Sequence, residues 1–138
     1  MAMDAFSASL MKDKREIVIA PTIYKFDTFG AFAEEFKLGE RDVVLTNEFI
    51  YKPFMEELGL KSKFVFQEKF GGGEPSEAMI ETMYEAIPYD SYDRVIAVGG
   101  GAIMDLCKLL GCKRPDTVHN LYFKRFPVVH EKDVIAIP

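Results

Sequence analysis

Tryptophan is absent from this sequence, and cysteine and histidine occur only twice each. No apolar run approaches the ~18 residues that a membrane span needs. Nor does the opening MAMDAFSASLMKDKRE contain the apolar core of a signal peptide. A soluble, cytoplasmic protein is expected, with no membrane partner. Cys107 and Cys112 lie outside any CxxC spacing and have no histidine at zinc-site spacing, so they read as two reduced thiols. His119 and His130 are eleven positions apart in an irregular stretch, with no acidic residue completing a facial set, and read as ordinary loop histidines. No metal site is expected in this chain. Positive charge is also short, with 17 Lys and Arg against 22 Asp and Glu and a net charge of −5. Lys113-Arg114 and Lys124-Arg125 are too sparse to hold a phosphate backbone, which excludes nucleic acid as a partner.

What is present points to one α/β domain. The length of 138 residues suffices for a hydrophobic core, and twelve phenylalanines can fill it. Residues 1–15 read as a loosely held leader and residues 16–138 as the domain. Glu16–Ala20 and Ile23–Phe26 are short extended runs broken by Pro21, as in a hairpin or an edge strand. Thr28 can cap a helix reaching Leu38, with Phe29, Phe32, Ala33 and Phe36 at helical spacing and Gly39 as the stop. Asp42–Thr46 is a β-branched run typical of a buried parallel strand. Pro53 suits the first turn of a helix over Lys52–Leu58 that Gly59 ends. Lys63–Gln67 reads as a third strand, and Phe70–Glu74 as a flexible loop. Pro75 suits the first turn of a helix to Ile87. Arg94–Val98 reads as a strand, Ala102–Leu110 as a buried helix, Val118–Tyr122 as one helical turn and Asp133–Ile137 as a last strand. Alternation of this kind predicts an open parallel sheet of Rossmann-like type, flanked by helices.

Gly99-Gly100-Gly101 joins the strand Arg94–Val98 to the helix after it. Glycines allow positive φ and close approach of a ligand to the backbone. The helix that follows directs unpaired N–H groups and the positive end of its dipole at the loop, which suits a diphosphate without any lysine. The segment is not GxGxxG, and no GKS or GKT follows, so neither common phosphate fingerprint applies. A tight strand-to-helix turn without a ligand accounts for three glycines equally well. Asp105, just inside the helix, can accept bonds from ribose hydroxyls, or it can simply favour the helix dipole. Lys108, three residues on, can pair with it.

AVGGGAIMDLCK resembles the GGGSxxDxAK segment of the iron-containing alcohol dehydrogenases. IYKFDTFGAFAEEF, DVVLTNEFI, GGGEPSEAMI and IAIP follow in the order of that family's nucleotide-binding part, so the resemblance spans about residues 17–138. Through TIYKFDTFGAFAEEF and VVLTNEFIYKPF the run is most similar to the family's 4-hydroxybutyrate dehydrogenases. Dehydroquinate synthases and glycerol dehydrogenases share the glycine segment and are the alternatives within the superfamily; a non-catalytic nucleotide-binding domain is the alternative outside it.

The resemblance implies an NAD cofactor, with Gly99, Gly100 and Gly101 at its diphosphate and Asp105 near its nicotinamide ribose. Asn47 falls where many relatives carry an Asp on the adenosine ribose, and a neutral amide there leaves NADP open. Glu74 and Ser76 fall at the Asn and Thr of a PNPT segment. Ala102 replaces the usual Ser and loses a hydroxyl. The resemblance also implies Fe²⁺ or Zn²⁺ in an all-helical half that this chain lacks, a small alcohol or aldehyde substrate, a homodimer, and no turnover by this chain alone.

Overall fold

The computed structural model describes residues 21–123 and 127–138. The expected leader and the extended run Glu16–Ala20 lie outside them. Four strands form one sheet: β1 (Asp42–Thr46), β2 (Lys63–Phe66), β3 (Arg94–Val98) and β4 (Asp133–Ile137). Their order is β2-β1-β3-β4, and every pairing is parallel. The open parallel sheet expected from the alternating pattern is therefore the one observed.

Parallel neighbours need a crossover, and the crossovers cover both faces. Side chains alternate along each strand, so β1 sends Val43 and Leu45 into one layer and Val44 into the other. The first layer packs against α3 (Glu77–Ala86), α4 (Gly101–Gly111) and α5 (Val118–Tyr122), through Met79, Met83, Ile103, Leu106, Leu110 and Val118. The second packs against α1 (Phe29–Glu35) and α2 (Glu48–Phe54), with Phe32, Met55, Ile96 and Val98 at its centre. β1 and β3 lie between neighbours and are buried almost throughout, which is why their sequences are continuous apolar runs.

Several element ends differ from the sequence reading, each for a local reason. Ile23–Phe26 forms no strand; the segment is irregular, and its rings pack on α1, with Tyr24 against Phe36 and Phe26 against Phe32. Thr28 does cap α1, its hydroxyl accepting from the Ala31 N–H at 3.1 Å. The helix stops at Glu35, short of Leu38, because Lys37 turns left-handed with φ 51°. The Lys37 and Leu38 N–H groups then bond Glu34 and Ala33 carbonyls, a Schellman closure with lysine in the usual glycine place. α2 begins four residues earlier than expected, and Pro53 lies in its last turn instead of its first. Gly59 does end the segment, in the left-handed conformation at the close of a 3-10 turn over Glu56–Leu58. Pro75 stands just before α3, whose cap is Ser76.

The amino ends of the strands are cross-braced by side chains. Arg94 donates to Asp42 at 2.7 Å and 3.0 Å and to the Phe36 carbonyl at 2.8 Å. Hydrogen bonding to Asp42 raises the Arg94 pKa further above its ordinary value, against the opposing effect of burial. Arg41 grips Asp93 through two nitrogens. Lys132 donates to the Tyr89 and Tyr92 carbonyls, and Arg114 to those of Tyr84 and Ile87, both cations lying over tyrosine rings.

The far end of α4 is fixed at this same edge. The buried Tyr92 hydroxyl donates to the Leu110 carbonyl at 2.6 Å, and the Glu131 and Lys132 N–H groups both donate to the Gly111 carbonyl. A Cβ at Gly111 would stand 2.5 Å from Val134 Cγ2, so only a glycine lets α4 and β4 approach this closely.

Candidate functional site

The strand order places a topological switch between β1 and β3. β1 leads through α2 outward to β2, whereas β3 leads through α4 outward to β4. The two connections leave in opposite directions, so the chain parts above the carboxyl ends of β1 and β3. Ligands of open α/β sheets bind in such a crevice. Gly99–Gly101 forms one bank and Asn47 the other.

Two physical demands shape the glycine bank. Gly99 has φ 146°, and a Cβ there would come within 2.7 Å of Ile103 Cδ1, so no side chain fits. Its N–H donates to the Ile137 carbonyl at 3.1 Å, which ties the loop to β4. Gly100 caps α4 in an extended conformation with no side-chain bond, and Gly101 begins the helix. A Cβ added to either would meet nothing within 4 Å. The loop thus turns its backbone to open space at the start of an eleven-residue helix, and that space suits a diphosphate.

Ala102 follows in the first turn and is half-buried. Asp105 lies one turn beyond Gly101 on the same helical face and is exposed. It pairs with Lys108 at 3.2 Å. Both side chains are well solvated, so the pair contributes little to stability.

Asn47 sits at the start of α2 with its side chain engaged elsewhere than in capping. Its Nδ2 donates to Glu68 Oε2 at 3.0 Å, while its Oδ1 would lie 3.7 Å from a Cβ at Gly99. The amide thus bonds the β2 loop and borders the glycine loop after β3. Glu68 comes from a 3-10 turn over Gln67–Lys69 at the carboxyl end of β2. Its other oxygen accepts the Glu48 N–H at 2.6 Å, the capping bond that α2 lacks from its own residues. Desolvation pushes the Glu68 pKa upward, but the bonds from the Glu48 backbone and the Asn47 amide, with Lys69 nearby, prevail and lower it. The residue therefore stays ionised at the mouth of the crevice. Sequence reasoning missed Glu68. The available signal was an acid immediately after a strand end, but QEK reads equally well as a solvated charge run.

Two further expected residues lie after β2. The Ser76 hydroxyl accepts from the Met79 N–H at 3.2 Å and is the α3 N-cap. Glu74 is exposed in a loop where Gly71 and Gly73 carry positive φ and Gln67 donates to the Gly73 carbonyl. Both belong to the segment between β2 and α3. The histidines lie apart. His119 faces Glu77 at 3.4 Å, and His130 lies 3.6 Å from the Cys112 sulfur. Burial pushes the thiols of Cys107 and Cys112 up, which favours their protonated form. Among the described residues no group of three His, Cys, Asp or Glu could hold a metal ion, and no helix there is long and apolar enough to cross a membrane.

Comparison with known proteins identifies the family and the fold. Residues 20–138 match the sequence model of the iron-containing alcohol dehydrogenases. The chain is 45% identical over 120 residues to a 4-hydroxybutyrate dehydrogenase of Clostridium kluyveri, covering 87% of this chain and 32% of that protein. It therefore spans about a third of the length of that relative. Among solved structures it is similar to an iron-containing alcohol dehydrogenase of Thermotoga maritima, with TM-score 0.56 and 24% identity over 79% of this chain and 32% of the other. It is likewise similar to a sulfoacetaldehyde reductase of Bifidobacterium kashiwanohense in complex with NAD+, with TM-score 0.58 and 20% identity over 79% and 30%. These structural likenesses establish the fold.

Proposed function

Since the chain belongs to the iron-containing alcohol dehydrogenase family, we propose that it is the nucleotide-binding part of an NAD(P)-dependent dehydrogenase whose diphosphate seat is Gly99–Gly101. The observation that carries this reading is the open space over Gly100 and Gly101 at the amino end of α4, within the switch-point crevice. Backbone N–H groups there offer a diphosphate fixed donors and a favourable dipole. In this reading Asp105 accepts from the nicotinamide ribose and Asn47 faces the adenosine ribose. Ala102 leaves the diphosphate to backbone donors alone, and Glu74 and Ser76 flank the site. The NAD+ held by the reductase of similar fold supports the cofactor class. The bound nicotinamide supplies hydride transfer; this chain supplies the seat and the orientation.

The relationship to the Clostridium enzyme supports 4-hydroxybutyrate and succinate semialdehyde as the substrate pair. The described residues do not fit the metal that the family name implies, and no step assigned to them uses one. We place the metal ligands in a part of the enzyme outside these 138 residues, expect no turnover from this chain alone, and expect a cytoplasmic homodimer. A longer protein containing these residues should reduce succinate semialdehyde with NADH and lose that activity to a chelator. Activity indifferent to the chelator would overturn the metal assignment.

Calorimetric titration of the chain with ADP-ribose tests the seat. Gly100→Val places a branched side chain in the open space and should weaken binding at least roughly tenfold, about 1.4 kcal/mol. Equal binding by the two proteins would overturn the reading.

A further inference from the structure

We propose that Glu68 makes this site select NAD over NADP, supplying from the β2 loop the negative charge that the neutral Asn47 does not. The inference rests on the diphosphate seat proposed above and concerns the neighbouring end of the same crevice. With the diphosphate on Gly99–Gly101, the adenosine half of the cofactor extends along the carboxyl edge of the sheet, where Asn47 borders the loop and Glu68 borders Asn47. In nucleotide sites of this topology an acid beside the adenosine ribose accepts from its hydroxyls and repels a 2′-phosphate. The location of that acid in space matters, whatever strand carries it.

Three observations single out Glu68. Its carboxylate is held by two donors, the Asn47 amide at 3.0 Å and the Glu48 N–H at 2.6 Å, so its position is fixed although the residue is exposed. A carboxylate has about four acceptor sites, so two remain for ribose hydroxyls. Another acid at this corner, Glu48, faces Lys52 at 3.3 Å. Lys69 adjoins Glu68 along the chain but does not pair with it within 4 Å. Among the described residues, Glu68 therefore has no cation in contact. A 2′-phosphate beside it would meet like charge; a 2′-hydroxyl would meet an acceptor.

The test is calorimetric titration of the chain and of Glu68→Gln with ADP-ribose and 2′-phospho-ADP-ribose, at low and at high salt. The wild-type chain should prefer ADP-ribose by roughly tenfold or more at low salt, and salt should shrink the preference, because an exposed charge is screened. Glu68→Gln keeps an acceptor for the Asn47 amide and should bring the two affinities within about threefold of each other at either salt. Glu68→Asp, which retains the charge on a shorter arm, should restore part of the preference. If ADP-ribose binds both proteins and the preference survives Glu68→Gln unchanged, the inference is overturned and the seat stands. If ADP-ribose fails to bind the folded wild-type chain, the seat itself is overturned, and the inference with it.

Discussion

The two edges of the sheet are built from different materials. At the amino edge, side chains cross between elements: Arg94 to Asp42 and Phe36, Arg41 to Asp93, Arg114 and Lys132 to carbonyls around three tyrosines. At the carboxyl edge, one amide joins the ends of β1 and β2, and glycine backbone after β3 faces open space. Polar interlocking is concentrated at the amino edge, and the edge proposed above to bind the cofactor has few side chains in the way. The comparison teaches that fold stability and ligand affinity should respond to separate sets of substitutions.

Asp42→Ala should give the largest effect. It leaves the Arg94 guanidinium mostly buried beside one carbonyl, at a cost of roughly 3 kcal/mol; the remaining 22% exposure of Arg94 keeps this at the lower end for a broken buried pair. Urea unfolding should record that loss, while ADP-ribose affinity of the folded protein stays within about twofold. An equal loss of affinity would break the comparison.

A pH titration sharpens it with a smaller effect. Burial pushes the Tyr84 phenol up from 10.0 to about 12, with Arg114 opposing. The folded chain therefore holds this proton more tightly than the unfolded chain does. Its contribution is complete below pH 10 and is lost as pH rises from 10 toward 12. Alkaline unfolding, followed by phenolate absorbance and circular dichroism, should show stability falling across this window and falling less in Tyr84→Phe. A chain equally stable across the window would count against a Tyr84 phenol shielded from water at this edge. The smallest effect belongs to Gly100→Val, whose unfolding free energy should move by no more than about 1 kcal/mol, the scale of a changed cap facing solvent. A much larger loss would mean that the glycine edge is also structural.

How far the sequence could be read follows from the same physics. β1 and β3 are buried on both faces, and burial of that kind writes itself as an uninterrupted β-branched run. The glycine loop was legible because the loss of three side chains between a strand and a helix is itself a pattern. The start of α2 was not legible, because its cap is Glu68, twenty positions downstream, and no local window contains both. Pro53 was misplaced as a result, since a proline marks a first turn only when nothing earlier starts the helix. Ile23–Phe26 has strand composition but packs its rings on α1, so a tertiary surface decided what local propensity could not. Asn47 and Gly99 both lie at the carboxyl ends of central strands, a placement readable from their positions just after β-branched runs, whereas the role of Ser76 as the α3 cap follows from its own local geometry.

α4 resembles a pen gripped at the top. Its tip, at Gly101, borders the crevice with open space where a side chain would be, while its other end is clamped about 16 Å away by Tyr92, by two backbone donors and by the bare contact of Gly111 with Val134. The direction in which this helix presents its positive pole is therefore set from the opposite edge of the sheet. A ligand arriving at the tip finds the aim already taken.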